Sequence, residues 1–255
     1  MVALNFGIII QARASSTRYP EKVLKKIDKK NSVLGFQIKR VLNEFKNKNI
    51  FIATTIKKKD EKICLVAKNN NVNFFRGSEK NVLKRYLDCA KKFKIKNIVR
   101  ITSDCPLVDP KLIKKMLKIF LESKYDYFAN TYPINKSTFP DGSDIEIFKF
   151  SSLKKAYESA KNKDDLEHVT TYFWKNSHSF KIKNYKIKKN FSNFRYCVDY
   201  KDDLMVIRQI VKYLEKNKLN GNTFEIVNFL KKNKSLESIS KKNKKKFLEY
   251  RTDLF

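Results

Sequence analysis

Short apolar runs alternate with segments of helical periodicity through the first half of the chain. The runs predict strands near residues 5–11, 50–54, 72–76, 97–102 and 125–130. The periodic segments predict helices near residues 32–46, 60–70, 79–93, 109–122 and 151–161. Strands that alternate with helices in this way favour a parallel sheet with helices on both of its faces. We therefore predict an α/β fold with a mostly parallel sheet flanked by helices.

The alternation loosens after residue 130, where we expect a small excursion over residues 131–190. Residues 131–145 are rich in turn-forming residues and lead into a predicted strand at Ile145–Phe148. Further strands are predicted near 178–187 and 194–199, and further helices at 165–176 and 201–217. The second half of the chain is therefore expected to add to the sheet without repeating the pattern of the first half.

The length and composition are those of a globular protein. At 255 residues, with 42% hydrophobic and 13% aromatic residues, the chain can bury one sizeable core. We expect one large domain over residues 1–217 and a helical tail over 218–255, in which Lys231 to Lys246 form a solvated helix. No apolar run approaches the ~20 residues of a membrane-spanning helix. We therefore expect no membrane insertion. The four cysteines are scattered with no close pair, which favours a reducing cytoplasm.

The formal net charge is +31, which ordinarily favours binding to nucleic acid or to an anionic membrane. The lysines are dispersed along the whole chain, however, in a pattern typical of AT-rich codon bias. Only nine of the 57 basic residues are arginines. Several of these fall at or near strand–loop junctions: Arg13, Arg18, Arg76, Arg85, Arg100 and Arg195. Since the planar guanidinium binds phosphate and carboxylate in a bidentate manner, the arginines indicate an anion site.

The loop after the first predicted strand has the composition of a polyphosphate site. It contains Ala12, Arg13, Ser15, Ser16, Thr17, Arg18 and, after Pro20, Lys22. Small residues let backbone N–H groups approach an anion, and three cations can share the charge of a triphosphate. The loop is neither a Walker motif nor a Gly-x-Gly-x-x-Gly motif. The same residues are equally compatible with an ordinary polar loop.

Ligands of parallel sheets bind beyond the carboxyl ends of the strands, so the segments there are candidates for the same site. Arg76 follows the third predicted strand, and Ser103 and Asp104 follow the fourth. Asp199 ends the predicted strand at 194–199. Two carboxylates that face a triphosphate suit Mg²⁺, because phosphate and water oxygens complete its shell. The alternative is that each aspartate caps the helix that follows it.

Six segments in order resemble the cytidylyltransferases that activate acidic 2-keto sugars, the 3-deoxy-manno-octulosonate and acylneuraminate types among them. The spore-coat polysaccharide biosynthesis branch is the most similar. The segments are IQARASSTR (10–18) with Lys22, RGSEKNVLKRY (76–86), RITSDCPL (100–107), FPDGSDIEIF (139–148), EHVT (167–170) and VDYKDDL (198–204). The resemblance implies a Rossmann-like glycosyltransferase-A or nucleotidyltransferase fold. It also implies the reaction of CTP with a sugar acid, which gives a CMP-sugar and pyrophosphate.

Site roles follow from the resemblance by matching position. Arg13, Ser16, Arg18 and Lys22 would hold the triphosphate, with Arg13, Lys22 and Asp104 at the reacting phosphate. Asp104 and Asp199 would hold Mg²⁺. The chain departs from the pattern at Glu21, where the family often has glycine, so an anion there needs a screened orientation. The resemblance does not identify the sugar.

Acceptor recognition is expected from the second half of the chain. The candidates are Asp141, Asp144, Glu146, His168 and Arg195. The three acids either bind sugar hydroxyls or cap a loop, and residues 144 and 146 share one face of a strand. His168 contacts the sugar carboxylate, accepts a proton or is structural. Arg195 either binds the substrate carboxylate or pairs with Asp199.

We predict CTP and a small acidic sugar as partners, no nucleic acid, and a homodimer with an interface in residues 131–190. The alternatives are a glycosyltransferase, or a transferase of another nucleotide, on the same fold. A loop suited to a triphosphate disfavours the first alternative. A basic nucleic-acid-binding protein is disfavoured because it requires clustered basic and aromatic residues.

Overall fold

The computed structural model describes residues 5–133 and 136–250. The predicted turn-rich segment 131–145 therefore has residues 134 and 135 outside the described residues, and the predicted tail has residues 251–255 outside them. Within the described ranges, no helix is long and apolar enough to cross a bilayer.

A seven-stranded mixed sheet forms the centre of the protein. Its strands are β1 (Phe6–Gln11), β2 (Ile50–Thr55), β3 (Asn73–Gly77), β4 (Asn97–Thr102), β5 (Tyr127–Ala129), β6 (Glu146–Lys149) and β7 (Ile182–Asn184). Their order is β3-β2-β1-β4-β6-β5-β7. The first four strands are mutually parallel, and β6 runs antiparallel to both β4 and β5. The prediction of a mostly parallel α/β sheet is confirmed.

Ten helices flank this sheet within the described ranges. They are α1 (Val33–Leu42), α2 (Glu61–Asn69), α3 (Val82–Lys92), α4 (Pro110–Leu121), α5 (Phe150–Ser159), α6 (Lys163–His168), α7 (Thr171–Lys175), α8 (Lys201–Lys216), α9 (Thr223–Lys232) and α10 (Lys234–Tyr250). Side-chain caps fix several of the starts. Ser32 accepts from the Gly35 N–H, and Asn81 accepts from the Lys84 N–H. Each such cap stabilises its helix by about 1 kcal/mol.

The alternation of side chains along β1 separates two layers of the core. Ile8 and Ile10 pack with α1 and α4, whereas Ile9 points to the other face and packs with α3 and α5. All three isoleucines are fully buried. A strand that is covered on both faces has apolar residues at consecutive positions, and this pattern is why β1 could be predicted from the sequence. A third cluster joins α8 and α9 to the segment around Val198.

Three elements differ from the sequence-based expectation. The predicted strand at 194–199 is not a strand, since only Arg195 makes a β-bridge, to Asp141. The backbone there bonds to loops instead, with Tyr196 N–H donating to Asp141 O at 2.9 Å and Val198 N–H donating to Asp104 O at 2.8 Å. Asp199 therefore does not end a strand.

The predicted helix 165–176 is two helices, α6 and α7. The chain breaks at Val169, which adopts a φ of 59°. The break lets the Thr170 hydroxyl donate to the buried carboxylate of Glu146 at 2.8 Å. A continuous helix would not make this turn.

The tail is not simply a solvated helix, because α10 packs one face against the domain. Ser240 and Asn243, three residues apart on that face, are buried. The Ser240 hydroxyl donates to Arg195 O at 2.6 Å and accepts from Arg195 N–H at 2.9 Å. These contacts connect the tail to the segment that precedes Asp199.

Candidate active site

A cleft of about 450 Å³ opens at the carboxyl edge of the sheet, where β1 and β4 lie side by side. It collects most of the residues that the sequence predicts for the site: Ala12, Arg13, Ser16, Thr17, Arg18, Lys22, Ser103, Asp104, Asp141, Asp144, His168 and Asp199. Of the described residues in that prediction, four stand outside the cleft lining: Ser15, Arg76, Glu146 and Arg195.

The loop after β1 is shaped by a buried carboxylate beneath it. Asp60, which is 0% exposed, accepts from the Ala14 N–H at 2.7 Å and from the Thr55 hydroxyl. Ser15 points away from the cleft and donates to Glu79 at 3.0 Å. The departure at Glu21 is screened, because its carboxylate pairs with Lys62 at 3.0 Å. No acidic side chain of this loop therefore faces the cleft.

Lys22 lies between the two predicted magnesium ligands. Its Nζ is 2.8 Å from Asp104 Oδ2 and 2.7 Å from Asp199 Oδ1. Burial lowers the pKa of this amine, but the two carboxylates raise it more, so the pKa lies well above its ordinary value. Lys22 is therefore a fixed positive charge at the base of the cleft.

Asp199 is surrounded by cations. Arg18 Nη2 lies 2.6 Å from Asp199 Oδ1, and Arg195 Nη2 contacts Oδ2 of the same carboxylate. Burial raises the pKa of Asp199, but Lys22, Arg195 and Arg18 lower it further, and the net result is a pKa well below the ordinary range. Asp104 also has a lowered pKa, because Lys22 outweighs its burial and the charge of Asp199. Both aspartates are ionised at neutral pH.

Arg195 supports this arrangement from beneath. Its side chain is 0% exposed and pairs with Asp141 and Asp203, each at 2.9 Å, as well as with Asp199. Asp203 in turn accepts from the N–H groups of Asp199 and Tyr200 at the start of α8. In this structure the guanidinium is bound by three carboxylates and lies outside the lining of the cleft.

Asp144 and Glu146 do not share one strand face as predicted, because β6 begins at Glu146 and Asp144 precedes it. The Asp144 carboxylate lines the cleft and accepts from Gly142 N–H at 2.7 Å and from the Thr131 hydroxyl at 2.9 Å. Burial, together with the charge of Asp141, raises the pKa of Asp144 to about 6. Glu146 is 1% exposed and is bound by Arg100, Tyr127 and Thr170. It fixes β4, β5 and the α6–α7 break together.

The rim of the cleft is formed by Arg13 and α6. Arg13 Nη2 lies 3.4 Å from Glu167 Oε1, and both side chains are more than one-third exposed. His168, the last residue of α6, lines the cleft beside them. Arg13 is thus a partly exposed cation at the entrance, in contrast to the buried Lys22.

Arg76 lies farther along the sheet. It donates to the carbonyls of Thr55, Ile56 and Lys57 at the end of β2. These hydrogen bonds hold the chain that follows β2, and Arg76 does not line the cleft.

Comparison with known proteins decides the family. A sequence model described as cytidylyltransferase matches residues 7–252. The chain belongs to the cytidylyltransferase family. The predictions of a nucleotidyltransferase and of this family are confirmed, and the match extends through α10.

This cytidylyltransferase is similar in sequence to two relatives and in structure to two solved proteins. An uncharacterized protein of Methanocaldococcus jannaschii is 34% identical, over 91% of this chain and 93% of the relative. The spore coat polysaccharide biosynthesis protein SpsF of Bacillus subtilis is 30% identical, over 79% and 84%. A cytidylyltransferase structure from Leptospira borgpetersenii is 32% identical, with a TM-score of 0.85 over 91% of this chain and 96% of that one. A CMP:2-keto-3-deoxy-manno-octonic acid synthetase solved with CTP shares the fold, with 14% identity and a TM-score of 0.59 over 81% and 98%.

The carboxylates of the cytidylyltransferase cleft fit Mg²⁺ only together with a phosphate ligand. Within residues 5–133 and 136–250, no group of three or more His, Cys, Asp or Glu side chains is placed to hold a metal ion. Asp104 and Asp199, however, both reach one atom, Lys22 Nζ, and are both ionised. Two carboxylates with phosphate and water oxygens form a suitable magnesium shell.

The cleft is also lined by residues outside the set predicted for the site. Arg85 on α3 is 1% exposed, donates from Nη1 to Ser78 O at 2.6 Å, and has no described partner for its Nε. In the sequence, the scarcity of arginine is the feature that indicates Arg85 as a candidate for an anion site. Tyr132 and Phe247 line the cleft as well. No motif marks Phe247, because it reaches the cleft only through the packing of α10.

Proposed function

We propose that this cytidylyltransferase couples CTP to an acidic 2-keto sugar and releases a CMP-sugar and pyrophosphate. The observation that carries the proposal is the meeting of Arg18 and Lys22 with Asp104 and Asp199 at ion-pair distances of 2.6–2.8 Å. The relative SpsF supports a product used in surface polysaccharide or glycan synthesis, since its name places it in spore coat polysaccharide biosynthesis.

The loop after β1 would bind the triphosphate. Lys22 supplies a fixed charge at its base, and Arg18 and Arg13 supply guanidinium groups nearer the rim. Ser16 and Thr17 line the cleft between them and offer hydroxyl donors. Charge-assisted bonds of this kind are shorter and stronger than neutral ones, so they hold the phosphates in one position.

Asp104 and Asp199 would hold Mg²⁺. When bound, the ion supplies charge neutralisation at the α-phosphate and lowers the pKa of the attacking hydroxyl. The sugar hydroxyl attacks the α-phosphorus in line. A new P–O bond forms, the bond to the departing pyrophosphate breaks, and the hydroxyl proton passes to solvent. The protein contributes positioning and electrostatic stabilisation, which carry most of the catalysis in phosphoryl-type transfers.

The first test is thermal stabilisation by CTP, UTP, ATP and GTP, each with and without Mg²⁺, in moderate salt. A ligand of the native state raises the melting temperature by mass action. We expect a Mg²⁺-dependent preference for CTP that Asp104→Asn abolishes. Asp88→Asn, which changes an acid on the outside of α3, is the matched control and keeps the preference.

Equal and salt-sensitive shifts for all four nucleotides would refute the proposal, since a chain of charge +31 binds polyanions without a specific site. Preferential stabilisation by nucleoside diphosphate sugars would favour the glycosyltransferase alternative instead. Release of pyrophosphate from CTP with eight- and nine-carbon 2-keto acids then tests the acceptor class.

The homodimer and the cytoplasmic location belong to the same proposal. Light scattering after size exclusion measures the oligomeric state, and substitutions within residues 131–190 test the predicted interface.

A further inference from the structure

A second cavity of about 590 Å³ adjoins the cleft, and we call it the α10 chamber. Its walls are residues 131–132 and 137–144, residues 190–193 and one face of α10. Four residues line both spaces: Tyr132, Asp141, Asp144 and Phe247. A molecule in the chamber would therefore lie directly beside the candidate nucleotide site.

The face of α10 in this chamber is cationic. Lys241, Lys244, Lys245 and Leu248 follow the spacing of one helix face. Lys241 pairs with Glu237 at 2.8 Å, whereas Lys245 makes no ion pair within residues 5–133 and 136–250. Like charges one helical turn apart destabilise a helix, so a bound anion would relieve this repulsion. The face fits a negatively charged ligand.

Lys244 lies where the chamber meets the cleft. Its side chain is 13% exposed, and its Nζ is 3.8 Å from Asp141 Oδ2. The same oxygen already accepts from Arg195 Nε at the shorter distance of 2.9 Å. Asp141 is thus neutralised chiefly by Arg195, and the ammonium of Lys244 keeps donors for a ligand.

The other walls suit a hydroxylated molecule. Asn190, Ser192 and Asn193 offer neutral amide and hydroxyl groups, and Phe139 and Phe247 offer apolar surface. Neutral donors and acceptors beside aromatic rings match the alternating polar and apolar surfaces of a sugar.

The chamber is close enough to the cleft for reaction across their boundary. Cys105 Sγ lies 3.7 Å from an oxygen of Asp104 and 3.7 Å from an oxygen of Asp144. The carboxylates of Asp104, in the cleft, and of Asp144, which lines both spaces, are therefore separated by the thiol of Cys105 alone. In a 2-keto sugar acid the reacting hydroxyl and the carboxylate share one carbon, so the cation that binds this carboxylate must stand at this boundary.

We infer that the α10 chamber is the acceptor site and that Lys244 binds the carboxylate of the acceptor. The inference rests on the proposed function. It assigns the C-terminal helix to substrate recognition: the reacting end of the sugar acid lies at Lys244, and its remaining hydroxyl groups extend toward residues 190–193.

The test compares free 2-keto acids with their carboxamides. The probes are 3-deoxy-manno-octulosonic acid, N-acetylneuraminic acid and the carboxamide of each, measured by saturation-transfer NMR binding and by pyrophosphate release at saturating CTP and Mg²⁺. We expect the wild-type protein to prefer the acids. Lys244→Met should raise the acceptor Kd and KM by ~10–100-fold, as loss of a charged hydrogen bond does. It should leave the KM for CTP unchanged and remove the preference for acid over carboxamide.

Two variants separate this role from a structural one. Lys244→Arg keeps the charge and should keep the acid preference, and Lys242→Met changes a lysine of α10 outside the chamber and should change neither constant. An unchanged preference in Lys244→Met would overturn the inference. If the wild-type protein binds Mg²⁺–CTP but none of the acids, the chamber assignment fails alone. If it binds no CTP, the proposed function fails first.

Discussion

Replacement of Arg195 by methionine tests whether this side chain is a structural support or a substrate ligand. The side chain is 0% exposed and bonds to Asp141, Asp199 and Asp203. Methionine fills part of the space but leaves three carboxylates without their shared cation. The structure therefore predicts a loss of stability as the primary effect.

The size of this loss of stability depends on which partners each carboxylate retains after Arg195 is removed. Asp199 retains Arg18 and Lys22, and Asp203 retains Asn243 at 2.8 Å and two backbone N–H groups. Asp141 retains only the 3.8 Å contact with Lys244 among its ion pairs to described residues. Removing one partner of a buried ion pair costs about 3–5 kcal/mol, and the partners that remain place this case at about 3–4 kcal/mol. For a chain of this size, each kcal/mol lowers Tm by ~2 °C, so the expected decrease is ~6–8 °C.

Urea and thermal denaturation of wild type, Arg195→Met and Arg208→Met measure this effect. Arg208 is exposed on α8 and, among the described residues, donates only to the Lys26 carbonyl, so its replacement should cost less than ~1 kcal/mol. A Tm of Arg195→Met within 2 °C of wild type, combined with a tenfold higher acceptor KM, would refute the reasoning. Arg195 would then be a substrate ligand.

Three further changes probe the cleft. Asp104→Asn should abolish Mg²⁺-dependent turnover and retain the far-ultraviolet circular dichroism spectrum; near-normal activity would remove Asp104 from the metal site. Arg18→Ala should weaken CTP binding by ~1.5–3 kcal/mol in isothermal calorimetry, as loss of a charged hydrogen bond does, and an unchanged Kd would contradict a phosphate contact. The Asp144 pKa of about 6 is raised, so ionisation of Asp144 opposes folding, and its penalty grows as pH rises from ~4 to 6. In urea denaturation at pH 8, Asp144→Asn should therefore be more stable than wild type by about 2–3 kcal/mol, and the difference should be smaller at pH 5. An equal difference at both pH values would disprove the raised pKa of Asp144.

The sheet was predictable because its signals are local. The run from Phe6 to Ile10 is continuous and apolar, and caps such as Ser32 and Asn81 stand directly before their helices. Each of these features determines the backbone state of its own segment without reference to a distant partner.

The meeting of Lys22 with Asp104 follows from a simple rule of topology. Asp104 closely follows β4 and Lys22 lies at the end of the loop that follows β1, and these two strands are parallel and adjacent. A parallel sheet brings such ends to one edge, so the sequence could place these residues together without knowledge of any contact.

The partners of the second half were not predictable in this way. Asp144 and Glu146 are two residues apart, yet one lines the cleft and the other is bound by Arg100 on β4. The difference arises because β6 enters the sheet antiparallel to β4, and nothing in the local pattern indicates that pairing. Arg195 likewise sits at an extended segment that looks like a strand but bonds to loops.

The amino-acid sequence is sufficient to predict the alternating strands and helices, the family, and the loop whose cations lie at the carboxyl edge. Those properties depend on residue order within short segments. Only the packed structure shows that Arg195 is buried beneath the site, and that α10 supplies Phe247 to the cleft and Lys244 to the α10 chamber. The physical reason is that burial and ion pairing depend on which distant segments pack together, and a lysine-rich helix presents no local signal of the face that the core will cover.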